Sequence, residues 1–280
     1  MRFRFLLFFL FVSFSLSAQT VSICSWNIQN FGQSKSDSEI LFIAKTIQSF
    51  DVIAIQEVVA GISGPPAVAR LCDQMNRMGG KWQYTISHGT SGDRYSKERY
   101  AFIWNILKVK MNGEAWLDAK YNLEINREPF FARFQKDGKL FTVASFHAVP
   151  AAKQPEKEIK LFRFLPARYP TDKLIFCGDF NIPQSHSVFN PLKLMGYMPA
   201  LVGKKTTLKQ KCLNNDCLAS EFDNFFYNRM TFRLIKAGVV LFFTKFRDIK
   251  EARQISDHLP VFLELELGFS TSNNRYIKNK

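Results

Sequence analysis

Several buried-looking apolar runs of this sequence stop or start at polar residues that can bind a metal ion or move a proton. Four runs end in such residues, and three others begin with them. In antiparallel neighbours the end of one strand lies beside the start of the next, so both groups can lie along a single sheet edge. The residues that this pattern gathers into one predicted cleft are Asn27, Glu57, Glu98, His147, Asp179, Asn181, Asp223, Asp257 and His258.

The side chains of this predicted cleft suit the hydrolysis of phosphoesters. Carboxylate and amide oxygens without thiolates favour a hard cation, Mg²⁺, Mn²⁺ or Ca²⁺. His147 and His258 can supply a general acid and a general base near neutral pH, and Arg127 in "INREPF" can bind a phosphate oxygen through its planar fork. The cation would offset charge on the phosphate oxygens, while one histidine activates water and the other protonates the leaving oxygen.

Each of these residues, taken singly, also has an ordinary structural interpretation. Asp179-Phe180-Asn181 could form a turn after a strand, Glu57 could cap a helix, and His147 could simply end a strand. The combination, in this order along the chain, favours chemistry over these alternatives. His88 and His186 lack comparable neighbours and are interpreted as loop residues.

Hydrophobic periodicity predicts the elements that must position the cleft. Residues 36–39 form a capping-box pattern ahead of a helix, and the apolar run at 51–58 predicts a strand buried on both faces. A hairpin turn is predicted at 136–139 and an amphipathic helix at 155–165. Strands outnumber helices, and hairpins mix with crossovers, so the predicted fold class is α/β with sheets packed against helices. A further helix is predicted at 64–78, and further strands at 21–27, 81–87, 99–104, 127–134, 139–147, 173–181, 222–227 and 261–267.

The N-terminus has the anatomy of a secretory signal peptide, predicted at residues 1–19. A basic start at 1–4 precedes an apolar run at 5–12 and small residues up to Ala18. A membrane anchor is the alternative, but the run is shorter than the ~20 residues that cross a bilayer. The prediction is a secreted or periplasmic mature protein without membrane attachment, with one domain at 20–268 and a polar C-terminal tail at 269–280.

The net charge of the chain indicates which class of partner it binds, and its cysteines bear on the redox compartment. The formal net charge of +14 falls to +12 without residues 1–19, which hold two arginines and no acid. Such an excess indicates an anionic partner, although solubility alone could explain it. Cys24, Cys72 and Cys177 are interpreted as buried free thiols. Cys212 and Cys217, in "CLNNDC", could close a small disulfide loop in an oxidising compartment or stay unpaired.

Short strings between residues 25 and 261 carry a resemblance to a known family. In chain order they are "SWNIQNFG", "IAIQEV", "SKERYAFIW", "INREPF", "SFHAVP", "GDFNI", "EFDNFF" and "SDHLPV". They resemble the endonuclease/exonuclease/phosphatase superfamily, and most closely the secreted deoxyribonuclease I family. "GDFN" and "SDH" are shared across the superfamily, whereas "NIQNFG", "KERYAF" and "NREPF" favour the deoxyribonuclease I branch over abasic-site endonucleases, sphingomyelinases and inositol phosphatases.

This resemblance implies a four-layer α/β/β/α sandwich, in which two mixed β-sheets pack together with helices outside. It implies a secreted endonuclease that hydrolyses DNA phosphodiester bonds with little sequence specificity. The cofactor it implies is Mg²⁺, with Mn²⁺ as a substitute and Ca²⁺ as a helper. We expect a monomer whose substrate is double-stranded DNA.

The resemblance also implies a role for each motif residue. Glu98 would orient His258, and Asp223 would orient His147. Arg127 would hold the substrate phosphate. The residues implied to bind metal, or in part phosphate, are Asn27, Glu57, Asp179, Asn181 and Asp257.

The chain departs from the family pattern at three positions. Val59 stands where an arginine normally contacts the minor groove, Ser96 stands where a tyrosine is usual, with Tyr95 shifted by one, and no cysteine follows "GDFN". The pair Cys212 and Cys217 could replace the missing family disulfide locally. These changes bear on the grip on DNA more than on the chemistry. The lysines whose phosphate contacts could compensate are Lys204, Lys205, Lys209 and Lys211.

Two other functions stay open at this point. The altered Val59 and Ser96 positions fit a phosphodiesterase of the same fold that acts on phospholipid or small phosphorylated substrates. A non-catalytic binding module is disfavoured, because pseudoenzymes usually lose a catalytic residue and none is missing here.

Overall fold

The computed structural model describes residues 19–92 and 97–268. All but the last residue of the predicted signal peptide, the whole predicted tail, and the departures at Tyr95 and Ser96 lie outside the described residues. Within the two described ranges, no helix combines the length and the apolar character needed to cross a bilayer.

Helices and strands of the described residues are numbered in chain order. The α-helices are α1 (Asp37–Ile47), α2 (Gly64–Arg77), α3 (Glu156–Ile159), α4 (Leu165–Arg168), α5 (Asn190–Leu194) and α6 (Ile249–Ile255). Short 3₁₀ helices lie at Ala119–Tyr121, Ala151–Lys153, Lys160–Phe164, Ser187–Phe189 and Phe242–Lys245. The strands are β1 (Thr20–Phe31), β2 (Val52–Val59), β3 (Trp82–Ile86), β4 (Glu98–Asn105), β5 (Lys110–Met111), β6 (Trp116–Leu117), β7 (Phe130–Lys136), β8 (Lys139–His147), β9 (Leu174–Asp179), β10 (Tyr197–Pro199), β11 (Leu208–Leu213), β12 (Asp216–Leu218), β13 (Asp223–Asn228), β14 (Arg233–Val239) and β15 (Val261–Glu266).

Two large mixed sheets form the centre of the fold. The first has six strands in the order β14-β15-β1-β2-β4-β3, of which only the β1–β2 pair is parallel. The second has seven strands, in the order β10-β13-β9-β8-β7-β5, with β6 also paired to β7, and its β8–β9 pair is parallel. β11 and β12 form a separate two-stranded hairpin.

Three hydrophobic cores separate four layers. The middle core lies between the sheets, where Ile23 of β1 packs in the same cluster as Phe134 of β7. Trp26, on the opposite face of β1, packs with Leu71 of α2 in the first outer core. Phe176 of β9 faces α3 to α5 in the second outer core. Burial of each large apolar side chain in these cores stabilises the fold by about 1.5–3 kcal/mol. The order of the layers confirms the predicted α/β/β/α sandwich.

Local sequence signals set two elements as predicted. At the start of α1, the Ser36 hydroxyl accepts from the Glu39 backbone N–H at 3.3 Å, and the Glu39 carboxylate accepts from the Ser36 N–H at 2.6 Å. Between β7 and β8, Asp137 and Gly138 both have positive φ, at 48° and 77°, which is the backbone of a type I′ hairpin turn.

Residues 155–165 do not form the continuous helix that their pattern predicts. A 3₁₀ segment at Lys160–Phe164 separates α3 from α4. Pro166 lacks the backbone N–H that would bond to the Phe162 carbonyl in a continuous α-helix, and the Leu165 N–H bonds to that carbonyl instead. α6, β14 and the β11–β12 hairpin are further elements that the sequence pattern does not predict.

The ends of both sheets meet where the cleft was expected. β1, β2, β8 and β9 end there, and β4, β13 and β15 begin there. The prediction of a single sheet edge is wrong, because β1, β2, β4 and β15 belong to the first sheet while β8, β9 and β13 belong to the second. The cleft lies across the junction of two packed sheets.

Candidate active site

Strand register assembles one half of the site on the second sheet. His147, the last residue of β8, pairs in register with Asp179, the last residue of β9. Asp223, the first residue of β13, pairs with Asp179 from the other side. All three residues are buried. The register therefore sets Asp179 between His147 and Asp223.

Four nitrogen atoms surround one oxygen of this central carboxylate. The Nε2 atoms of His147 and His258 lie 3.4 and 3.5 Å from Asp179 Oδ2. The amide nitrogens of Asn27, from β1, and of Asn181 lie 3.3 and 3.4 Å from the same oxygen. Donors converging on one point in a buried site can also stabilise the oxygens of a phosphate group.

Each histidine is held by a carboxylate, but not by the one predicted. His147 Nδ1 lies 3.0 Å from both carboxylate oxygens of Glu98, and His258 Nδ1 lies 2.8 Å from Asp223 Oδ2. The predicted pairing of Glu98 with His258 and of Asp223 with His147 is therefore wrong. Because a carboxylate accepts at each Nδ1, both rings turn Nε2 toward Asp179.

Strand alternation explains why the pairs form in this way. Glu98 and Tyr100 share one face of β4, which is turned toward the second sheet, where the Tyr100 hydroxyl accepts from the His147 N–H at 3.1 Å. Asp223 and Phe225 share the face of β13 that is turned toward the first sheet. Each carboxylate thus reaches across the middle core to a histidine of the other sheet.

The two pairs favour protonated histidines. Burial lowers the pKa of His147, but the Glu98 carboxylate opposes it and the pKa lies above its ordinary value. Burial also lowers the pKa of His258, and here the carboxylates of Asp223 and Asp179 prevail and raise the pKa to about 10. His258 therefore carries a proton at neutral pH when no cation is bound.

We expect His258 to stay protonated to well above pH 8 in the EDTA-treated protein. Because its folded pKa is raised above the ordinary 6.5, protonation stabilises the fold fully below about pH 6.5, and this contribution fades as the pH rises toward 10. Nuclear magnetic resonance titration of the His258 ring protons measures the midpoint. A His258 midpoint at or below 6.5 contradicts the pairing.

Oxygen atoms beside Asp179 can hold a cation. Asn27 Oδ1 is buried and has no hydrogen-bond partner among the described residues, a state that costs about 1–3 kcal/mol unless a ligand satisfies it. The Asn27 amide nitrogen donates to Glu57 Oε1 at 3.0 Å, and Glu57 has a φ of 60°, which is uncommon outside glycine and typical of functional sites. Asp179, Asp223 and His258 offer ligand atoms within 4.8 Å of one another. This donor set fits a divalent cation.

Comparison with known families agrees with this geometry. A sequence profile of the Endonuclease/Exonuclease/phosphatase family matches residues 24–258. The chain belongs to this family. It is accordingly an enzyme of that hydrolase superfamily, and its curated relatives confirm the resemblance to deoxyribonucleases.

Two curated relatives cover most of the chain. Human deoxyribonuclease gamma is 25% identical, over 92% of this chain and 90% of its own length. A deoxyribonuclease from Thioalkalivibrio sp. is 27% identical, over 90% of this chain and 73% of its own length. Among solved structures, an endonuclease/exonuclease/phosphatase family protein from Bacteroides thetaiotaomicron has a TM-score of 0.64 at 17% identity, covering 88% of this chain and 97% of its own. A mannosyl-6-phosphatase from the same organism has a TM-score of 0.63 at 19% identity, covering 88% and 99%. These structures share the fold.

Asp257 lies beside His258 with its carboxylate engaged. Asp257 Oδ2 is 3.3 Å from Arg253 Nη2, and the Asp257 carbonyl accepts from the Leu208 N–H at 2.8 Å. Asp257 was predicted at the metal cluster of this family fold. In the structure its carboxylate takes part in an ion pair one turn back along the chain.

Arg127 was predicted to hold the substrate phosphate, and its guanidinium is engaged inside the protein. It is 6% exposed. Its Nε donates to the His147 carbonyl at 2.9 Å, its Nη2 donates to the Ala148 carbonyl, and its Nη1 lies 3.3 Å from Glu98 Oε2. Arg127 thus fixes the Glu98–His147 pair, and it lines a cavity of about 310 Å³ together with Glu57 and Glu98.

Ser256 belongs to the "SDHLPV" string, but the sequence predicts no role for it in the site. It is fully buried, its hydroxyl donates to the Asn27 carbonyl at 2.7 Å, and it accepts from the His258 N–H at 3.0 Å. The sequence signal that could have indicated this role is a serine directly before an acid and a histidine. Ser256 ties the loop that carries His258 to the end of β1.

Thr206 was missed altogether, because it lies in a lysine-rich stretch without a motif. Its hydroxyl accepts from the backbone N–H groups of Phe222 and Asp223, at 3.1 and 2.9 Å. Its own proton is donated to Asp223 Oδ2 at 2.7 Å, the oxygen that also contacts His258. Thr206 therefore positions the carboxylate that orients His258.

We expect Thr206→Val to lower kcat about tenfold. Valine keeps the shape but removes the hydroxyl, which leaves Asp223 free to turn and removes the acceptor of the buried Asp223 N–H, at a cost of about 1–3 kcal/mol. Thermal unfolding and steady-state kinetics on DNA measure the two effects. Thr206→Ser is the control, and it should restore kcat. A serine variant as slow as the valine variant would show that packing matters here, and not the hydroxyl.

Proposed function

We propose that this protein is a secreted, metal-dependent endonuclease that hydrolyses DNA phosphodiester bonds with low sequence specificity. The observation that carries the proposal is the convergence of His147 and His258 on Asp179 Oδ2, each ring turned by its own carboxylate. The curated relatives named deoxyribonuclease support DNA as the substrate. The signal-like N-terminus supports secretion.

In the proposed mechanism, the histidine pair handles the protons. A phosphodiester in the cleft would meet both Nε2 atoms, so one imidazole can take a proton from the attacking water while the other gives its proton to the leaving oxygen. The amide nitrogens of Asn27 and Asn181 can donate to phosphate oxygens as charge develops there. Glu98 and Asp223 hold the rings in the productive tautomer.

The proposed cofactor is Mg²⁺, with Mn²⁺ as a substitute and Ca²⁺ as a helper. When bound, the cation would offset the negative charge of the phosphate. Asn27, Glu57 and Asp179 would hold it, with Asn181 and Asp257 as the further candidates from the resemblance. We further propose a monomer acting on double-stranded DNA.

Digestion of supercoiled plasmid across a panel of metals tests this function. Nicking in Mg²⁺ or Mn²⁺ that stops with EDTA and returns with added metal is the expected result. Plasmid that stays intact in every metal would overturn the proposal. Parallel reactions with RNA and with single-stranded DNA define the preferred form of the substrate.

A phosphodiesterase for small substrates is the second candidate. The cavity of about 310 Å³ beside the site is lined in part by Val59 and Ala60, which suit a small, partly apolar leaving group. Hydrolysis of sphingomyelin vesicles and inositol phosphates, measured beside plasmid under the same conditions, separates the candidates. A strong preference for either non-DNA substrate would favour the second.

A further inference from the structure

A basic hairpin leaves the body of the protein directly beside the catalytic histidine. We call residues 204–220, which contain β11 and β12, the arm. At its root, Thr207 forms an isolated bridge with His258, the Leu259 N–H donates to the Thr206 carbonyl at 2.7 Å, and the Leu208 N–H donates to the Asp257 carbonyl at 2.8 Å. The root of the arm is therefore fixed to the segment that carries His258.

The arm carries an excess of positive charge. It holds four lysines and one acid, Asp216. Asp216 Oδ2 lies 3.4 Å from Lys205 Nζ and 2.7 Å from Lys209 Nζ, so one carboxylate serves two of the cations. Lys204 and Lys211 are exposed, and in the described part of the chain no carboxylate lies within ion-pair distance of either.

Covalent and local bonds brace the arm, since it belongs to neither large sheet. Its register is irregular between Leu208 and Leu213, and an isolated two-stranded ribbon is marginal in water. The Cys212–Cys217 disulfide closes the tip, directly after Lys211. The ion pairs of Asp216 with Lys205 and Lys209 also connect residues of the arm, so the hairpin that carries the lysines is held together by these bonds.

We propose that the arm binds the phosphate backbone of a DNA duplex next to the bond being cut, with Lys204 and Lys211 as its principal contacts and the Cys212–Cys217 disulfide as its brace. The inference rests on the proposed function. Its basis is charge complementarity: a duplex presents closely spaced phosphates on both strands, and the exposed lysines of a disulfide-closed hairpin beside the site can neutralise some of them. A duplex that is being cut must extend past the catalytic centre. The root of the arm lies next to that centre, because it forms a bridge with the segment that carries His258.

The test compares two double variants with equal loss of charge. Lys204→Gln/Lys211→Gln removes the exposed arm cations, and Lys139→Gln/Lys173→Gln removes exposed lysines at the far ends of β8 and β9. The test uses a fluorescent DNA duplex of about 30 base pairs, which exceeds the ~10 base pairs of one helical turn. Its binding is measured by anisotropy in EDTA at several salt concentrations. We expect the arm variant to raise Kd about tenfold and to reduce the slope of log Kd against log salt by about two. The control variant should change Kd by less than about twofold.

Equal changes in the two variants would overturn the proposal, because they would report net charge and not the arm. The proposal would also be overturned if the wild type bound anionic lipid vesicles more tightly than DNA and the arm variant lost only the lipid binding. Binding is measured without turnover, so these outcomes judge the arm even if the plasmid assay rejects the proposed function.

A second variant tests the brace. Cys212→Ser/Cys217→Ser keeps every lysine and removes only the cross-link. We expect it to weaken DNA binding about threefold with the salt slope nearly unchanged, because the cations remain but must be ordered on binding. Circular dichroism and thermal unfolding establish that each variant is folded. A folded serine variant that binds DNA as tightly as the wild type would show that the disulfide does not support the arm.

Discussion

Replacing His147 by alanine is expected to lower kcat for plasmid cleavage by about 10³-fold and to leave DNA binding within about threefold of the wild type. The imidazole is buried, its Nδ1 is held by Glu98, and its Nε2 points at Asp179 Oδ2. A proton-transfer group acts on the reaction barrier more than on ground-state affinity. Steady-state kinetics and anisotropy with an uncleaved duplex in EDTA measure the two quantities separately.

The exposed His88 offers a matched control for this prediction. It lies in a loop and is exposed, so His88→Ala should keep kcat within about twofold of the wild type. His258→Ala should resemble His147→Ala, since both Nε2 atoms approach the same oxygen. A His147→Ala enzyme that cuts plasmid at more than a tenth of the wild-type rate would remove this residue from the proton-transfer step.

Much of the fold is predictable because its signals are local. The capping box at Ser36 and the turn at Asp137-Gly138 each depend on a few adjacent residues, and both form as predicted. The buried strands are predictable because their apolar runs are short and end abruptly at polar residues. Those polar ends also reveal the members of the candidate site. Burying a carboxylate or a histidine at the end of a strand costs free energy unless it is paired, so few purely structural roles are open to it.

Pairing within the site could not be predicted in the same way. Glu98 and Asp223 are both carboxylates at strand starts, and nothing local tells which histidine each will meet. The answer depends on which face of β4 and of β13 is turned toward the other sheet, and that is set by the packing of the middle core. A one-residue change of register would reverse both faces.

Long-range contacts also explain the residues that were missed. Thr206 is 17 residues from Asp223 in the chain, and it acts through hydrogen bonds of its hydroxyl that no motif predicts. Arg127 was expected to face substrate, but three carbonyl and carboxylate partners around His147 hold its guanidinium inside. Both residues support the reacting groups, and such support becomes visible only when the strands are packed.

The corrected pairing makes a second prediction with a large effect. Asp223→Asn should lower kcat by about 10³-fold, because an amide can present its N–H to His258 Nδ1 and favour the wrong tautomer. Asn is close to Asp in size, so the loss of charge and not a cavity causes the effect. Kinetics on plasmid with Mg²⁺ measure kcat, and thermal unfolding checks that the variant is folded.

Histidine titrations in the same variants decide which carboxylate serves which ring. In the EDTA-treated protein, Asp223→Asn should lower the pKa of His258 and leave that of His147 nearly unchanged, since the largest opposing charge on His258 is Asp223. Glu98→Gln should do the reverse, because Glu98 contacts His147 through both oxygens. If Asp223→Asn moves the titration of His147 instead, the sheets do not pack with the register described, and the crossing of each carboxylate to the opposite sheet would have to be abandoned. If each variant moves only its own partner, each carboxylate serves the histidine of the opposite sheet, and the packing of the middle core is what brings each pair together.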